Sequence, residues 1–87
     1  MFLVKNNLNF PLTLDWQLLF SATVKTNITI QNDDDEAIIY LATKDDDDYI
    51  IKILYPLDVW KEKIKRGYSL YIKSSKANAK FQAMFYA

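Results

Sequence analysis

The last third of the chain alternates between apolar and more polar side chains, and this pattern limits the chain to β structure. Segments 68–73 and 79–86 each place apolar residues at every second position, which is typical of strands with one buried face. The polar stretch 74–78 between them indicates a loop, so we predict that the chain closes with a β-hairpin. Gly67, the only glycine, directly precedes this unit and predicts a turn with a positive φ.

The rest of the chain carries further short segments with strand character. Segments 17–24, 27–31, 37–43 and 49–55 alternate or are rich in β-branched residues, which strands favour. We therefore predict an all-β fold, a small antiparallel β-sandwich or barrel of about six to seven strands. The segment 37–43 is nearly all apolar, which predicts burial on both faces.

One segment has helical spacing. Leu57, Trp60 and Ile64 recur at intervals of three and four after Pro56, with Gly67 placed to end a helix. We predict one short helical turn here at most. The alternative is a strand with Trp60, Glu62 and Ile64 on one face.

The alternation also predicts the core. Trp16 and Trp60 lie beside apolar residues and are expected inside. The remaining predicted core consists of Leu18, Phe20, Ile28, Ile30, Ile39, Leu41, Ile51, Ile53, Leu70, Ile72, Phe81 and Phe85.

Length and composition restrict the function. The 87 residues make one domain, residues 1–87, and they include neither cysteine nor histidine. Disulfides, thiolate chemistry and the usual neutral-pH proton shuttle are therefore excluded. We expect no catalytic activity and no cofactor. No segment reaches the ~20 apolar residues of a membrane span, and the first residues lack the pattern of a secretory signal, so we expect no membrane association.

Charge is unevenly distributed along a chain of zero net charge. Residues 33–60 carry nine acidic and two basic residues, a net −7, whereas residues 61–87 carry seven basic residues and one acidic residue, a net +6. We hypothesise that acidic loops of one copy face the basic region of another copy; alternatively, the charges only keep the domain soluble. The interface residues are Asp33, Asp34, Asp35, Glu36, Asp45, Asp46, Asp47, Asp48, Lys61, Lys63, Lys65, Arg66, Lys73, Lys76 and Lys80.

The two acidic runs, 33–36 and 45–48, also suggest a calcium site, because hard cations prefer clustered carboxylates. They lack the spacing and the glycine of an EF-hand loop, so we interpret them as solvated turns. The lysines interleaved with Trp60, Tyr68 and Tyr71 contain the ingredients of a single-strand nucleic-acid surface. The acidic loops would repel a polyanion, so we expect no nucleic-acid partner. We also expect no small molecule as partner.

The order of segments resembles that of small β-sandwich structural proteins from tailed bacteriophage particles. The resemblance covers roughly residues 12–87 and includes Trp16 before a strand, the run 26–32 ending in Ile30-Gln31-Asn32, and the stretch 67–75 with its Ser74-Ser75 turn. These are strand and turn patterns without a chemical signature. The chain departs from the family pattern in its aspartate runs and in the absence of glycine from the last turn.

The resemblance implies an architectural role. We expect a bacteriophage virion component, capsid-associated or at the head–tail or fibre attachment, that contacts copies of itself and other virion proteins. Its localisation would be the virion. The alternative is a small binding module for single-stranded nucleic acid or carbohydrate.

Overall fold

The computed structural model describes residues 2–45 and 48–87, and these residues form eight antiparallel strands. No helix is present among them, so none of the described part could span a membrane as a helix. The strands are β1 (Phe2–Asn6), β2 (Gln17–Ser21), β3 (Thr26–Asn32), β4 (Ile39–Asp45), β5 (Asp48–Leu54), β6 (Val59–Ile64), β7 (Ser69–Ser74) and β8 (Phe81–Tyr86).

The strands form two four-stranded sheets that pack together as a β-sandwich, which confirms the predicted fold class. Sheet A has the order β1-β8-β3-β6, and sheet B has the order β2-β7-β4-β5. Among the described strands, β4 and β5 are the only pair that is adjacent both in sequence and in a sheet. Most connections therefore cross between the sheets, which places the two inner faces against each other.

The predicted helical turn at 57–64 is wrong, and the alternative interpretation is confirmed. Residues Val59–Ile64 form β6, which pairs with β3 from Gln31–Val59 to Thr26–Ile64. Trp60 and Ile64 lie opposite the buried residues Ile30 and Thr26. The backbone pairing with β3 outweighs the weak helical spacing, because local propensity is readily overridden by tertiary contacts.

The predicted closing hairpin is also wrong, although both of its strands exist. β7 lies in sheet B between β2 and β4, whereas β8 lies in sheet A between β1 and β3. The loop between them crosses the sandwich, with Asn78 at φ 60° and its N–H donating to the Leu12 carbonyl at 2.8 Å. The apolar faces of β7 and β8 therefore lie in opposite layers of one core.

The core prediction is confirmed for eight of the twelve alternating residues. Phe20 is half-buried and packs against the core, with its ring 4.5 Å from the Phe85 ring. The predicted residues that are buried are Ile28, Ile30, Ile39, Leu41, Leu70, Ile72, Phe81 and Phe85.

Four residues predicted to be buried are exposed. Leu18 is 50% exposed because the register of β2 shifts between Leu18 and Phe20, and the shift turns Leu19 inward instead. Ile51 and Ile53 lie on the outer face of sheet B, in register with Ala42 and Tyr40, whereas Leu54 on the other face of β5 is buried. Trp16 lies before β2 on the outside of sheet B. Burial of 37–43 on both faces is not found either, since Tyr40 and Ala42 are only half-buried.

Gly67 has the predicted positive φ, at 92°. Its N–H donates to the Ala22 carbonyl at 2.9 Å, and the Ala22 N–H donates to the Tyr68 carbonyl at 2.9 Å. The turn between β6 and β7 is thereby attached to the loop that follows β2. A Cβ at this position would meet no atom within 4 Å, so the backbone conformation alone favours glycine here.

We expect Gly67→Ala to lower the free energy of unfolding by about 1–2 kcal/mol, since an L-residue is strained at this φ. Urea denaturation measures the loss. Gly67→Asn is the matched variant, because asparagine tolerates the left-handed region, and it should lose less. Equal stability of the alanine variant and the wild type would contradict a conformational role for Gly67.

Candidate functional site

The outer face of sheet B carries apolar and aromatic side chains in neighbouring positions on all four strands. One row runs across the sheet through Leu18, Tyr71, Ala42 and Ile51, which are successive register partners. Leu18 and Ile51 are 50% and 53% exposed. Because side chains directly opposite on neighbouring strands contact one another, this row forms a continuous apolar strip.

A second row lies beside the first. Lys73, Tyr40 and Ile53 are register partners across β7, β4 and β5. The Lys73 Nζ lies 4.7 Å from the Trp16 ring centre and 5.5 Å from the Tyr40 ring centre, so the cation is held between two aromatic rings. We call the two rows and the adjoining Trp16 the apolar face. Its residues are Trp16, Leu18, Tyr40, Ala42, Ile51, Ile53, Tyr71 and Lys73.

The outer face of sheet A is more polar. Asn27, Thr29 and Gln31 on β3 lie beside Lys63, Lys61 and Val59 on β6 and beside Tyr86, Met84 and Gln82 on β8. Apolar residues are therefore interspersed with amides, a hydroxyl and lysines. Of the two outer faces, that of sheet B has the composition of a surface that another molecule covers.

A cleft opens between the edge strands β5 and β6 on one side of the sandwich. Its volume is about 280 Å³. Trp60 and Tyr68 are half-buried and pack against the core beside it, and Ile50 lies across from them on β5. The lining residues are Leu41, Thr43, Ile50, Lys52, Trp60, Glu62, Lys63, Ile64, Lys65 and Tyr68.

Asp34 is buried at the opposite end from the β4–β5 hairpin. Its Oδ1 accepts the N–H groups of Glu36 and Ala37, both at 2.9 Å, and its Oδ2 accepts the Lys80 N–H at 3.2 Å. The Lys76 Nζ lies 3.3 Å from Oδ1. The Glu36 N–H, followed by the other N–H groups and Lys76, holds the pKa of Asp34 far below its usual range, although burial acts in the opposite direction.

Asn32 extends this arrangement into the core. Its fully buried side chain donates to the carbonyls of Ala37 and Leu54 at 2.8 and 3.0 Å and accepts the Asp34 N–H at 2.9 Å. Asn32 and Asp34 therefore connect the β3–β4 loop to the end of β5 and to the loop before β8. We call these two residues the polar anchor; its bonds are internal, so its role is to fix the fold.

Most charged residues of the interface hypothesis lie at the two ends of the sandwich, and both signs occur at each end. Lys76 contacts Asp34 and also Glu36, at 3.7 Å, so these three charges interact within one chain. The Asp33 N–H donates to the Lys80 carbonyl at 3.0 Å. The interpretation of 33–36 as a solvated turn fails at Asp34, which is buried.

At the other end, Asp45 and Asp48 close the β4–β5 hairpin, and Asp46 and Asp47 lie outside the described residues. Lys44 pairs with Ser69, which places this hairpin at the same end as the basic turn containing Lys65 and Arg66. Lys61 and Lys63 lie on the outer face of sheet A, and Lys73 lies on that of sheet B. The acidic and basic regions therefore do not form two opposed patches, and the head-to-tail interface stays a prediction.

Sequence reasoning missed the apolar face, since it assigned Trp16, Leu18, Ile51 and Ile53 to the core. It also missed the internal role of Asp34. Within the described residues, no group of three or more acidic side chains is placed to hold a metal ion.

Comparison of the chain with protein-family models, curated proteins and solved structures finds no match. The resemblance to bacteriophage structural proteins therefore depends on sequence patterns alone.

Proposed function

We propose that the protein is a structural component of a bacteriophage virion that acts in many copies through protein–protein contacts at its apolar face. The observation that carries this proposal is the row of Leu18, Tyr71, Ala42 and Ile51 across the whole width of sheet B. Covering such a row removes apolar area from water, which drives association. The sequence resemblance supports the virion assignment.

The aromatic groups of the apolar face support a protein partner. Trp16, Tyr40 and Tyr71 provide large, rigid contact surfaces, and aromatic residues are enriched at the centres of protein interfaces. Lys73, held between two of these rings, places a charge at the edge of the second row. The face thus combines an apolar centre with a polar group that can orient a partner.

A second candidate function is suggested by the cleft between β5 and β6. Trp60 and Tyr68 could stack on bases or sugar rings, and Lys52, Lys63 and Lys65 could contact phosphates. Glu62 in the lining and the acidic hairpin at the same end of the sandwich oppose a polyanion. A binding module for single-stranded nucleic acid or carbohydrate is therefore the alternative.

Sedimentation velocity of the purified chain, with and without a single-stranded oligonucleotide, tests the proposal. We expect concentration-dependent association that the oligonucleotide does not change. Leu18→Glu should weaken association at least about tenfold, because a charge then interrupts the apolar row. Gln82→Glu, which adds the same charge to the outer face of sheet A, is the matched control and should associate like the wild type.

A monomer that binds the oligonucleotide in a salt-sensitive manner, with loss of binding in Trp60→Ala but not in Trp16→Ala, would favour the alternative. Equal association of the Leu18→Glu and Gln82→Glu variants would contradict a role for the apolar face. Circular dichroism should show that each variant is folded before it is compared.

A further inference from the structure

The turn between β5 and β6 presents apolar side chains to solvent. It comprises residues 55–58, and the Asp58 N–H donates to the Tyr55 carbonyl at 3.0 Å. Leu57, at the second central position of the turn, has a φ of 69° and is 63% exposed. Tyr55 and Val59, on either side, are also exposed. The turn therefore displays a leucine to which its own chain gives little cover.

The position of Leu57 is unfavourable for its own fold. A turn with proline at the first central position and a positive φ at the second is of type II, and the second position normally holds glycine or asparagine. Leucine is strained there because its Cβ approaches the backbone. Two further bonds hold the turn: the Asp58 Oδ2 accepts the Tyr55 N–H at 3.0 Å, and the Asp58 carbonyl accepts the Asn32 N–H at 2.9 Å. A strained, exposed and firmly held side chain is better explained by a contact outside the chain than by the fold.

The cleft between β5 and β6 has the properties that such a side chain requires. Its volume of about 280 Å³ is just below the roughly 300–1,000 Å³ of small-molecule pockets. The buried residues Leu41 and Ile64 are part of its lining. Lys52 and Glu62 are in register with buried Leu41 and Ile28, so they line the cleft from its two walls. The cleft thus combines buried apolar residues with charged groups, and it can receive an apolar side chain that has a charged neighbour.

We propose that the β5–β6 turn of one copy inserts Leu57 into the cleft between β5 and β6 of a second copy. This inference rests on the proposed function, because it names a contact between copies. The occupant comes from another copy because Leu57 does not line the cleft of its own chain. Charge favours this occupant, since the cleft lining carries three lysines and one glutamate, a net +2, whereas Asp58 is the only charged residue of the turn.

The contact is heterologous and small. The turn and the cleft are different surfaces, so a pair of copies keeps one unused turn and one unused cleft. The contact can therefore repeat around a ring or along a filament, as a component that acts in many copies requires. One leucine and its neighbours cover less than the about 1,200 Å² of a stable interface, so a single contact is weak and gains strength by repetition.

Leu57→Gly separates this contact from the fold. All chains in the experiment carry Leu18→Glu, so that the apolar face does not contribute. Leu57→Gly removes the inserted side chain and relieves the strained φ. Association in sedimentation equilibrium should therefore weaken about tenfold or more, while the urea midpoint of unfolding should not fall. Leu8→Gly, which removes a more exposed leucine from the loop between β1 and β2, is the matched control and should associate like the Leu18→Glu chain.

Mixing two variants tests the pairing itself. Ile50 lines the cleft and is exposed, so Ile50→Asp places a carboxylate in the cleft that would repel Asp58 of the incoming turn. Alone, this variant should associate as weakly as Leu57→Gly. In the mixture, the Leu57→Gly chain still offers its cleft, and the Ile50→Asp chain still offers its turn. The mixture should therefore form pairs with about the dissociation constant of the unaltered contact, and it should form nothing larger.

A mixture that associates no better than either variant alone would overturn the insertion of the turn into the cleft, as would equal effects of Leu57→Gly and Leu8→Gly. A Leu18→Glu chain that stays monomeric up to roughly 500 µM would also overturn it. The proposed function is tested separately, because Leu18 lies on β2, at the edge of sheet B opposite to β5. If Leu18→Glu reduces association and Leu57→Gly causes no further loss, the turn contact fails while the apolar face stands. If Leu18→Glu associates like the wild type and Leu57→Gly weakens it, the apolar face fails while the turn contact stands.

Discussion

Asp34→Ala is expected to lower the free energy of unfolding at neutral pH by about 2–4 kcal/mol. The substitution leaves the N–H groups of Glu36, Ala37 and Lys80 without the carboxylate that accepts them. An unsatisfied polar group costs about 1–3 kcal/mol when it is buried, and less where water replaces the lost partner. The loss should be large because one side chain connects the β3–β4 loop to the segment before β8.

The same carboxylate predicts how stability depends on pH. The pKa of Asp34 is lower in the folded state than in the unfolded chain, so its stabilising contribution is fully present above the unfolded value of about 3.9. As pH falls below that value, the unfolded state takes up the proton first, and the contribution is lost progressively. Asp34→Asn should therefore flatten the decrease in stability below about pH 4.

Urea denaturation between neutral and acidic pH measures both effects. Asp35→Ala is the matched control, since Asp35 is an exposed neighbour in the same acidic run, and it should change stability by less than about 0.5 kcal/mol. Equal losses in the two alanine variants would show that the acidic run acts only through its overall charge. Asp34→Asn should also be destabilised, because its NH2 group would face either the Lys80 N–H or the N–H groups of both Glu36 and Ala37, and an NH2 group cannot accept a hydrogen bond from them.

The sequence predicts the strands well because alternation is a direct consequence of burial on one face. Ile28, Ile30, Leu70 and Ile72 are all buried as predicted. The positive φ of Gly67 was predictable because few other residues adopt it without strain. These features depend on local chemistry that the sequence displays.

The errors arise where the outcome depends on distant parts of the chain. Nothing local distinguishes a β7–β8 hairpin from two strands in opposite sheets, since both place apolar residues at every second position. Ile51 is exposed because it lies, with Ile53, on the face of β5 that points away from the second sheet, and the packing of the two sheets decides which face that is. The register shift after Leu18 reverses which side chains face inward, and alternation alone cannot reveal such a shift.

The candidate site was less predictable than the fold. From the sequence, the residues of the apolar face cannot be distinguished from core residues. An apolar residue has the same hydropathy whether it is buried within the chain or is covered only when a partner binds. The sequence contains one weak indication of the role of Asp34. The side chains of Asn32 and Asp34 each accept a hydrogen bond from the N–H two residues later, and asparagine and aspartate commonly form such turns. The net charge of residues 33–36 does not distinguish a buried, hydrogen-bonded aspartate from exposed ones, so the run was interpreted as one acidic loop.

Leu70→Ala is expected to have the other large effect, a loss of about 2–5 kcal/mol in the free energy of unfolding. Leu70 is fully buried in the central strand β7, between Phe20 on β2 and Thr43 on β4. The substitution removes apolar contacts and leaves a cavity that two packed sheets cannot easily close.

Leu18→Ala provides the matched comparison, because it deletes the same atoms from the same sheet at a site that is half exposed. It should cost about 1 kcal/mol or less in the dilute monomer, since the removed atoms already contact water. Urea denaturation at low protein concentration keeps association from contributing to either value. A loss below about 0.5 kcal/mol for Leu70→Ala would show that the face of β7 that carries Leu70 does not point into the core. Equal losses for the two variants would mean that Leu18 is covered in solution and that the apolar face is not free to bind a partner.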